Sequence, residues 1–69
     1  MKQLTAKELA SILESRGWTF TRMNSGSHAQ YKHPGFRELI TIAGHGNRPI
    51  PPGLLRKILR QADINPKDI

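Results

Sequence analysis

The chain has 69 residues and no cysteine, and eleven lysines and arginines against five acidic residues give it a formal net charge of +6 at pH 7. A chain of this length forms one domain, residues 1–69, and buries only about 60% of the surface that its unfolded form exposes, which argues against a deep internal active site. The lack of cysteine excludes disulfides, thiolate zinc sites and a cysteine nucleophile. The positive charge favours a phosphate-bearing or acidic partner, so nucleic acid and an acidic protein both stay open.

Signals for membrane insertion or export are missing from the pattern. No stretch approaches the roughly 20 apolar residues that a membrane span requires. The opening Met-Lys-Gln-Leu-Thr lacks the apolar core of a secretory signal. We therefore expect a soluble, cytoplasmic protein with no membrane partner.

The first predicted element is a helix that begins after Thr5. Thr5 and Glu8 have the spacing of a capping box, in which the two side chains bind free amides of the first helical turn. Apolar residues recur at helical spacing as far as Leu13, so one face of the helix packs on the core. Gly17 follows in the place where a left-handed residue commonly ends a helix.

Three strands are predicted next. Alternation over residues 18–23 predicts the first strand, and its two aromatic residues should share one face. Residues 24–27 have the composition of a turn, and residues 29–33 form the second arm of a hairpin. The apolar residues 39–42 predict a third, well-covered strand. The few aromatic residues are expected in the core, which argues against a base-stacking platform.

A loop and a second helix complete the chain. Residues 44–52 include two glycines and three prolines, which do not maintain a helix or an interior strand. Pro52 suits the first position of the helix, where a missing amide costs little. The order helix, three strands, helix predicts an α+β fold: a three-stranded antiparallel sheet with both helices on one face. The opposite face is then free for a partner.

Gly26-Ser27-His28 is the first candidate for chemistry. An imidazole has an unperturbed pKa of about 6.5, so it both accepts and donates a proton near neutrality. On RNA it could deprotonate a 2′-hydroxyl or protonate the leaving 5′-oxygen, and the glycine would let backbone amides approach a phosphate. The alternative is an ordinary surface histidine that follows a turn.

Arg22, Gln30 and Lys32 lie on the two arms of the predicted hairpin. If Arg22 and Lys32 project from the open face, they could bind a phosphate and offset charge that develops on its oxygens. Gln30 has the spacing that shares a face with His28 and could hydrogen-bond a base or a sugar. Solvated polar side chains on a strand are the alternative for all three.

Further candidates for RNA contact come from the loop and the second helix. His45 and Arg48 lie in the glycine-rich loop, and Arg56, Lys57 and Arg60 form a basic stripe on the helix. Free amides at the start of that helix could also receive a phosphate. A mobile loop and solvated cations on an outer helix face are the alternative interpretations.

A metal site is not predicted. The three histidines, His28, His33 and His45, have no neighbouring aspartate or glutamate in the sequence, and zinc sites need three or four ligands in tight geometry. We expect no metal and no cofactor.

Taken together, the residues resemble the HicA family, the toxins of HicA–HicB toxin–antitoxin pairs. The resemblance extends from Leu4 to Ile64. It is carried by Gly17, Trp18, Arg22, Gly26, Ser27, His28, Tyr31, His33, Pro34, Thr41, Ile42, His45, Ile50, Gly53, Leu55, Arg56, Ile58, Leu59, Gln61, Ala62 and Ile64.

The resemblance implies a fold similar to the double-stranded-RNA-binding domain and a toxic ribonuclease that cleaves mRNA without a metal. It also implies a HicB antitoxin that covers the site, and it assigns the catalytic histidine to His28. Three positions depart from the family pattern: Ala43 where proline is usual, Leu54 where threonine is usual, and Asp63 where glycine is usual. The first two border the loop near the presumed site. A non-catalytic RNA-binding module of the same fold is the alternative function.

Overall fold

The computed structural model describes residues 3–24, 28–43 and 48–69. Its helices and strands are α1 (Ala6–Ser15), β1 (Thr19–Asn24), β2 (His28–Lys32), β3 (Ile40–Ala43), α2 (Pro52–Gln61) and a short 3₁₀ helix (Pro66–Asp68). The predicted α-β-β-β-α order is confirmed. The 3₁₀ helix was not predicted; the Asn65 side chain caps it by accepting a hydrogen bond from the Lys67 amide at 3.0 Å. None of the described helices is long and apolar enough to cross a membrane.

The three strands form one antiparallel sheet in the order β1-β2-β3. Each strand lies one residue away from its predicted position: β1 and β3 start one residue later, and β2 one residue earlier. Side chains alternate across a sheet, so the helix-facing side of β2 and β3 carries Tyr31, Ile40 and Ile42, all buried.

Both helices pack on this same side of the sheet. Leu9 and Leu13 of α1 and Leu55 of α2 belong to the hydrophobic cluster that contains the buried strand residues. The side chains of this core are Leu4, Leu9, Leu13, Trp18, Tyr31, Ile40, Ile42, Ile50, Leu55, Ile58, Leu59, Ala62 and Ile64. The predicted layer of helices on one face is therefore confirmed.

The start of α1 is fixed by the predicted capping box and by a short strand pairing. The Glu8 amide donates to Thr5 Oγ1 at 3.2 Å, and the Thr5 amide donates to Glu8 Oε1 at 3.0 Å. Leu4 O accepts from the Ile50 amide at 2.7 Å, beside a bridge between Thr5 and Pro49. The segment that leads into α2 is thus attached to the start of α1.

Both long helices end in the same hydrogen-bonded turn. At the end of α1, the Trp18 amide donates to Leu13 O at 3.0 Å, across Gly17 with φ +94°. At the end of α2, the Ile64 amide donates to Leu59 O at 2.9 Å, across Asp63 with φ +56°. This is the Schellman motif, whose left-handed residue is usually glycine. The predicted role of Gly17 is confirmed. Asp63 is the left-handed residue of the second turn, although its side chain makes a positive φ less favourable.

The aromatic residues of the first predicted strand differ in burial. Trp18 is buried, whereas Phe20 is 44% exposed and contacts the Tyr31 ring edge-on at 5.7 Å between centroids. Phe20 lies on an edge strand, where the sheet covers it from one side only. The expectation that the aromatic residues lie in the core is therefore wrong for Phe20.

Two features of the structure require glycine at position 17, namely the close approach of His33 and the positive φ. A Cβ there would lie 2.9 Å from His33 Nε2, and φ of +94° is strained for any other residue. We expect Gly17→Ala to lower the free energy of unfolding by at least about 2 kcal/mol. Gly53→Ala is the matched control: nothing lies within 4 Å of its Cβ position in α2. That variant should gain about 0.5 kcal/mol from its better helix propensity. Equal effects of the two changes in urea unfolding would contradict this account.

Asp63 offers a stabilising substitution. Glycine adopts a positive φ without the steric cost that a Cβ imposes. Asp63→Gly should therefore raise the free energy of unfolding by about 0.5–1 kcal/mol, or the melting temperature by roughly 4 °C in a domain of this size. Thermal unfolding followed by circular dichroism measures the change, and a lowered melting temperature would show that the aspartate makes a compensating contact.

Candidate functional site

The side of the sheet that faces away from the helices is polar. On β2, His28, Gln30 and Lys32 alternate with Ala29 and Tyr31, and the latter two pack towards the core. The first three side chains therefore stand in one row on the middle strand. His28 and Lys32 are exposed, and Gln30 is half-buried between its neighbours. We call this side of the sheet the open face.

A β-bulge brings Arg22 to the open face. Phe20 pairs with Tyr31 and Arg22 pairs with Gln30, so two steps along β1 match one step along β2. Strict alternation would have put Arg22 on the face of Phe20; the extra residue, Thr21, reverses its side. Arg22 Nε then donates to Gln30 Oε1 at 3.1 Å.

Thr21 is a residue that sequence reasoning missed. Its Oγ1 donates to the backbone oxygen of Gln30 at 3.0 Å and so anchors the bulge to β2. The β1 pattern shows regular alternation and contains neither the glycine nor the proline that often marks a bulge. No signal in the sequence could have found it.

The open face carries positive charge and no acid. Its described strands contribute the cations Arg22 and Lys32. The five acidic residues all lie outside the strands, at Glu8, Glu14, Glu38, Asp63 and Asp68. An anion placed over Gln30 would thus meet cations on two sides with no carboxylate on the same face.

The cations of α2 lie elsewhere. Arg56 and Arg60 line a shallow cleft in the helix layer together with Leu59, Ile64 and Pro66. The structure therefore does not bring these two arginines together with His28.

Lys57 and Arg48 lie outside the row on β2, although Lys57 shares its cleft with Thr41, the β3 partner of Gln30. Lys57 lines a different cleft beside Leu39 and Thr41, at the β3 edge of the sheet. Arg48 is exposed just before Pro49, which pairs with the residue that caps α1. Neither cation belongs to a described strand.

Some predicted residues lie outside the described part of the chain. These are Gly26, Ser27 and His45, together with most of the turn predicted over residues 24–27. Their proposed roles stay predictions.

His33 has a structural environment. Its Nδ1 accepts a hydrogen bond from the Gly35 amide at 2.8 Å, so Nε2 carries the proton and donates to Arg16 O at 3.1 Å. The ring packs against Trp18 and Phe36, with centroids 5.2 and 5.0 Å away. Both ring nitrogens are thus engaged, and His33 joins the end of β2 to the end of α1. This arrangement argues against a role for His33 in proton transfer.

The Tyr31 phenol and a bound metal ion are two other possible participants in the chemistry. Burial, and secondarily the Glu14 carboxylate, raise the pKa of the Tyr31 phenol, which therefore stays protonated near neutrality. No set of three or more metal-ligating side chains occurs within residues 3–24, 28–43 and 48–69. The expectation of a metal-free site stays a prediction, because His45 is not among these residues.

Two departures from the family pattern can now be placed. Ala43 is the β3 partner of His28, so this substitution lies beside the candidate histidine. Leu54 is half-buried in the first turn of α2 and packs against the core. Ala43 therefore adjoins the open face, whereas Leu54 belongs to the support beneath the β3 edge.

Comparison with known proteins gives one match. A family model described as the HicA toxin of bacterial toxin–antitoxin systems matches residues 6–64 of the 69. The match includes both long helices and all three strands. No curated protein and no solved structure matches the chain.

The two described histidines should respond differently to truncation. His33→Ala removes two hydrogen bonds and the packing on two rings, so it should lower the free energy of unfolding by about 2–3 kcal/mol. His28→Ala, at an exposed position, should cost less than about 1 kcal/mol. Urea unfolding of both variants gives the comparison. If His28→Ala lost more stability than His33→Ala, the structural role assigned to His33 would be wrong.

Proposed function

The chain belongs to the HicA family of bacterial toxins, and from this premise we propose that it is an mRNA-cleaving ribonuclease with His28 as its catalytic residue. The observation that carries the proposal is the row on the open face, where an exposed imidazole shares the middle strand with Gln30 and Lys32, and Arg22 lies opposite Gln30 on β1. The strands that form this face carry no acidic residue that would repel a phosphodiester.

The reaction needs a proton acceptor, a proton donor and stabilisation of the phosphate. The 2′-oxygen of a ribose bonds to the adjacent phosphorus as its proton leaves, and the bond from phosphorus to the 5′-oxygen breaks as that oxygen gains a proton. His28 serves one of these two proton transfers, which typically contributes 10²–10⁴-fold to the rate. The expected products are a 2′,3′-cyclic phosphate and a 5′-hydroxyl, and no metal takes part.

Arg22 and Lys32 bind the phosphate in this proposal. Negative charge grows on the non-bridging oxygens as the fifth bond to phosphorus forms, and cations already in place stabilise that charge without reorganisation. Backbone amides near Gly26 and Ser27 assist. His45 and Arg48, with Arg56, Lys57 and Arg60 on the helix layer, contact more distant parts of the RNA.

The substrate and the partner follow from the exposed character of the site. A single imidazole on an open sheet reaches a flexible single strand more easily than a stacked duplex, so single-stranded mRNA in the cytoplasm is the proposed substrate. A toxin of a toxin–antitoxin pair requires a neutralising partner. We propose a HicB-type antitoxin that covers the open face and excludes RNA from it.

The alternative is an RNA-binding module without catalysis. It is favoured by the exposed cations Arg56 and Arg60 on the helix layer, which can bind phosphates in the absence of the histidine row. In that case His28 would be incidental.

Induced expression and RNA cleavage in vitro separate the two functions. Wild type should arrest growth and degrade mRNA, and His28→Ala should lose at least about 10²-fold in cleavage rate because its proton transfer is gone. Lys32→Ala should lose about 10-fold or more. Lys67→Ala is the matched control, since it removes the same charge from the 3₁₀ helix and should cleave like wild type.

Three outcomes would overturn the proposal. Equal toxicity of wild type and the His28→Ala variant would favour the RNA-binding module, provided that both proteins have the same circular dichroism spectrum. Loss of cleavage on addition of a chelator would contradict the metal-free mechanism. Equal losses for Lys32→Ala and Lys67→Ala would show that overall charge matters and not the open face.

A further inference from the structure

We propose that Gln30 is a positioning residue that fixes the Arg22 guanidinium beside His28, and that it does not read a base. The inference rests on the proposed function and names how the phosphate is held at that same site. Its starting observation is the hydrogen bond from Arg22 Nε to Gln30 Oε1, 3.1 Å long, between two residues directly opposite each other on β1 and β2.

This contact determines which way the Gln30 amide points. A guanidinium can only donate hydrogen bonds, so the atom that faces Nε must be the amide oxygen. The NH₂ group of Gln30 is then directed away from Nε and remains a donor. In the side chain that sequence reasoning assigned to a base or sugar, the only acceptor atom thus already accepts a hydrogen bond from Arg22.

The same contact determines which donors Arg22 offers. Of the five N–H groups of a guanidinium, the one on Nε is used by Gln30, and the four on the two terminal nitrogens remain. Two of these are parallel and match the spacing of two phosphate oxygens. Within the part of the chain that the structure describes, the guanidinium has no carboxylate partner that would compete for them.

The position of the phosphate follows from the sheet. Side chains directly opposite on neighbouring strands have Cβ atoms about 5 Å apart, and diagonal neighbours about 7–8 Å apart. Arg22 is directly opposite Gln30 and diagonal to His28. A phosphodiester held by the terminal nitrogens of Arg22 is therefore within reach of the imidazole.

The bulge makes this geometry possible. In a regular ladder Thr21 would stand opposite Gln30, and Arg22 would lie over Ala29 on the helix side. The hydroxyl of Thr21 instead bonds the Gln30 backbone oxygen at 3.0 Å. Gln30 thus holds β1 at two points, through its backbone and through its side chain, and both contacts help to set the place of Arg22.

A double-mutant cycle tests the proposal. The probe is a short single-stranded oligonucleotide with 2′-deoxyribose at every residue, which lacks the 2′-hydroxyl that the proposed reaction needs and so cannot be cleaved by it. We expect Arg22→Ala to weaken its binding about 10-fold and Gln30→Ala about 5-fold, with the double variant close to 10-fold. If Gln30 reads the RNA independently, the effects multiply to roughly 50-fold instead, and the proposal is overturned.

The contact itself has a spectroscopic signature. The NMR signal of the Arg22 Nε–H should exchange with water more slowly in wild type than in Gln30→Ala. Gln30→Glu should keep the slow exchange, because a carboxylate oxygen accepts the same hydrogen bond. Equal exchange rates in wild type and Gln30→Ala would overturn the proposal whatever the binding data show.

Thr21→Val tests the bulge with its shape preserved. Loss of the hydroxyl should weaken binding of the probe by about 3-fold, whereas Thr19→Val, an exposed threonine of the same strand, should leave it unchanged. Equal binding by both variants would remove the bulge hydroxyl from the proposal.

Failure of this inference and failure of the proposed function are distinguishable. If His28→Ala abolishes cleavage but the cycle shows independent effects, only the role of Gln30 is wrong. If wild type does not cleave RNA but the cycle shows coupling, the positioning holds and the ribonuclease fails.

Discussion

The structure depends on burying one side of a three-stranded sheet. The chain supplies two helices of ten residues each, and both are used on the same face, where they form one core with the strands. Among residues 3–24, 28–43 and 48–69, no further long helix or strand covers the second face. The open face therefore stays in contact with solvent, and its side chains are free to be selected for binding or chemistry and not for packing.

Local devices hold this one-sided arrangement in place. The two helix ends use the same Schellman turn, and each delivers a buried residue, Trp18 or Ile64, directly into the core. His33 reinforces the first of these ends by bonding Arg16 O while it packs against Trp18. Since the end of β2 is joined to the end of α1 in this way, the middle strand cannot easily slide relative to the helix. A fixed middle strand also fixes the row of side chains that starts at His28.

The two described histidines occupy different environments. His33 has both ring nitrogens in hydrogen bonds with the backbone, whereas His28 is an exposed residue of a polar strand. In the sequence they are five residues apart, and residue type alone does not distinguish them. The two imidazoles differ in the side of the molecule on which they lie and in the residues that they contact there.

The sequence by itself determined the order of elements, both ends of α1, the start of α2 and most of the core. Capping residues, proline and left-handed glycine act on the backbone locally, and periodicity reports which face is buried; these signals need no knowledge of the rest of the fold. The family resemblance was also contained in the sequence, and the proposal of His28 as the catalytic residue came from it. Each strand was predicted one residue away from its observed position. This error arises because the ends of a strand depend on the strand that pairs with it.

Only the tertiary structure decided which polar residues stand together. Register between strands is a long-range property, and a single extra residue in β1 reverses the face of every side chain after it. That reversal puts Arg22 beside Gln30, while the packing of α2 keeps Arg56 and Arg60 in the helix layer. The sequence shows which residues have the chemistry, but their assembly into one site is set by pairing and packing between segments that are distant in the chain.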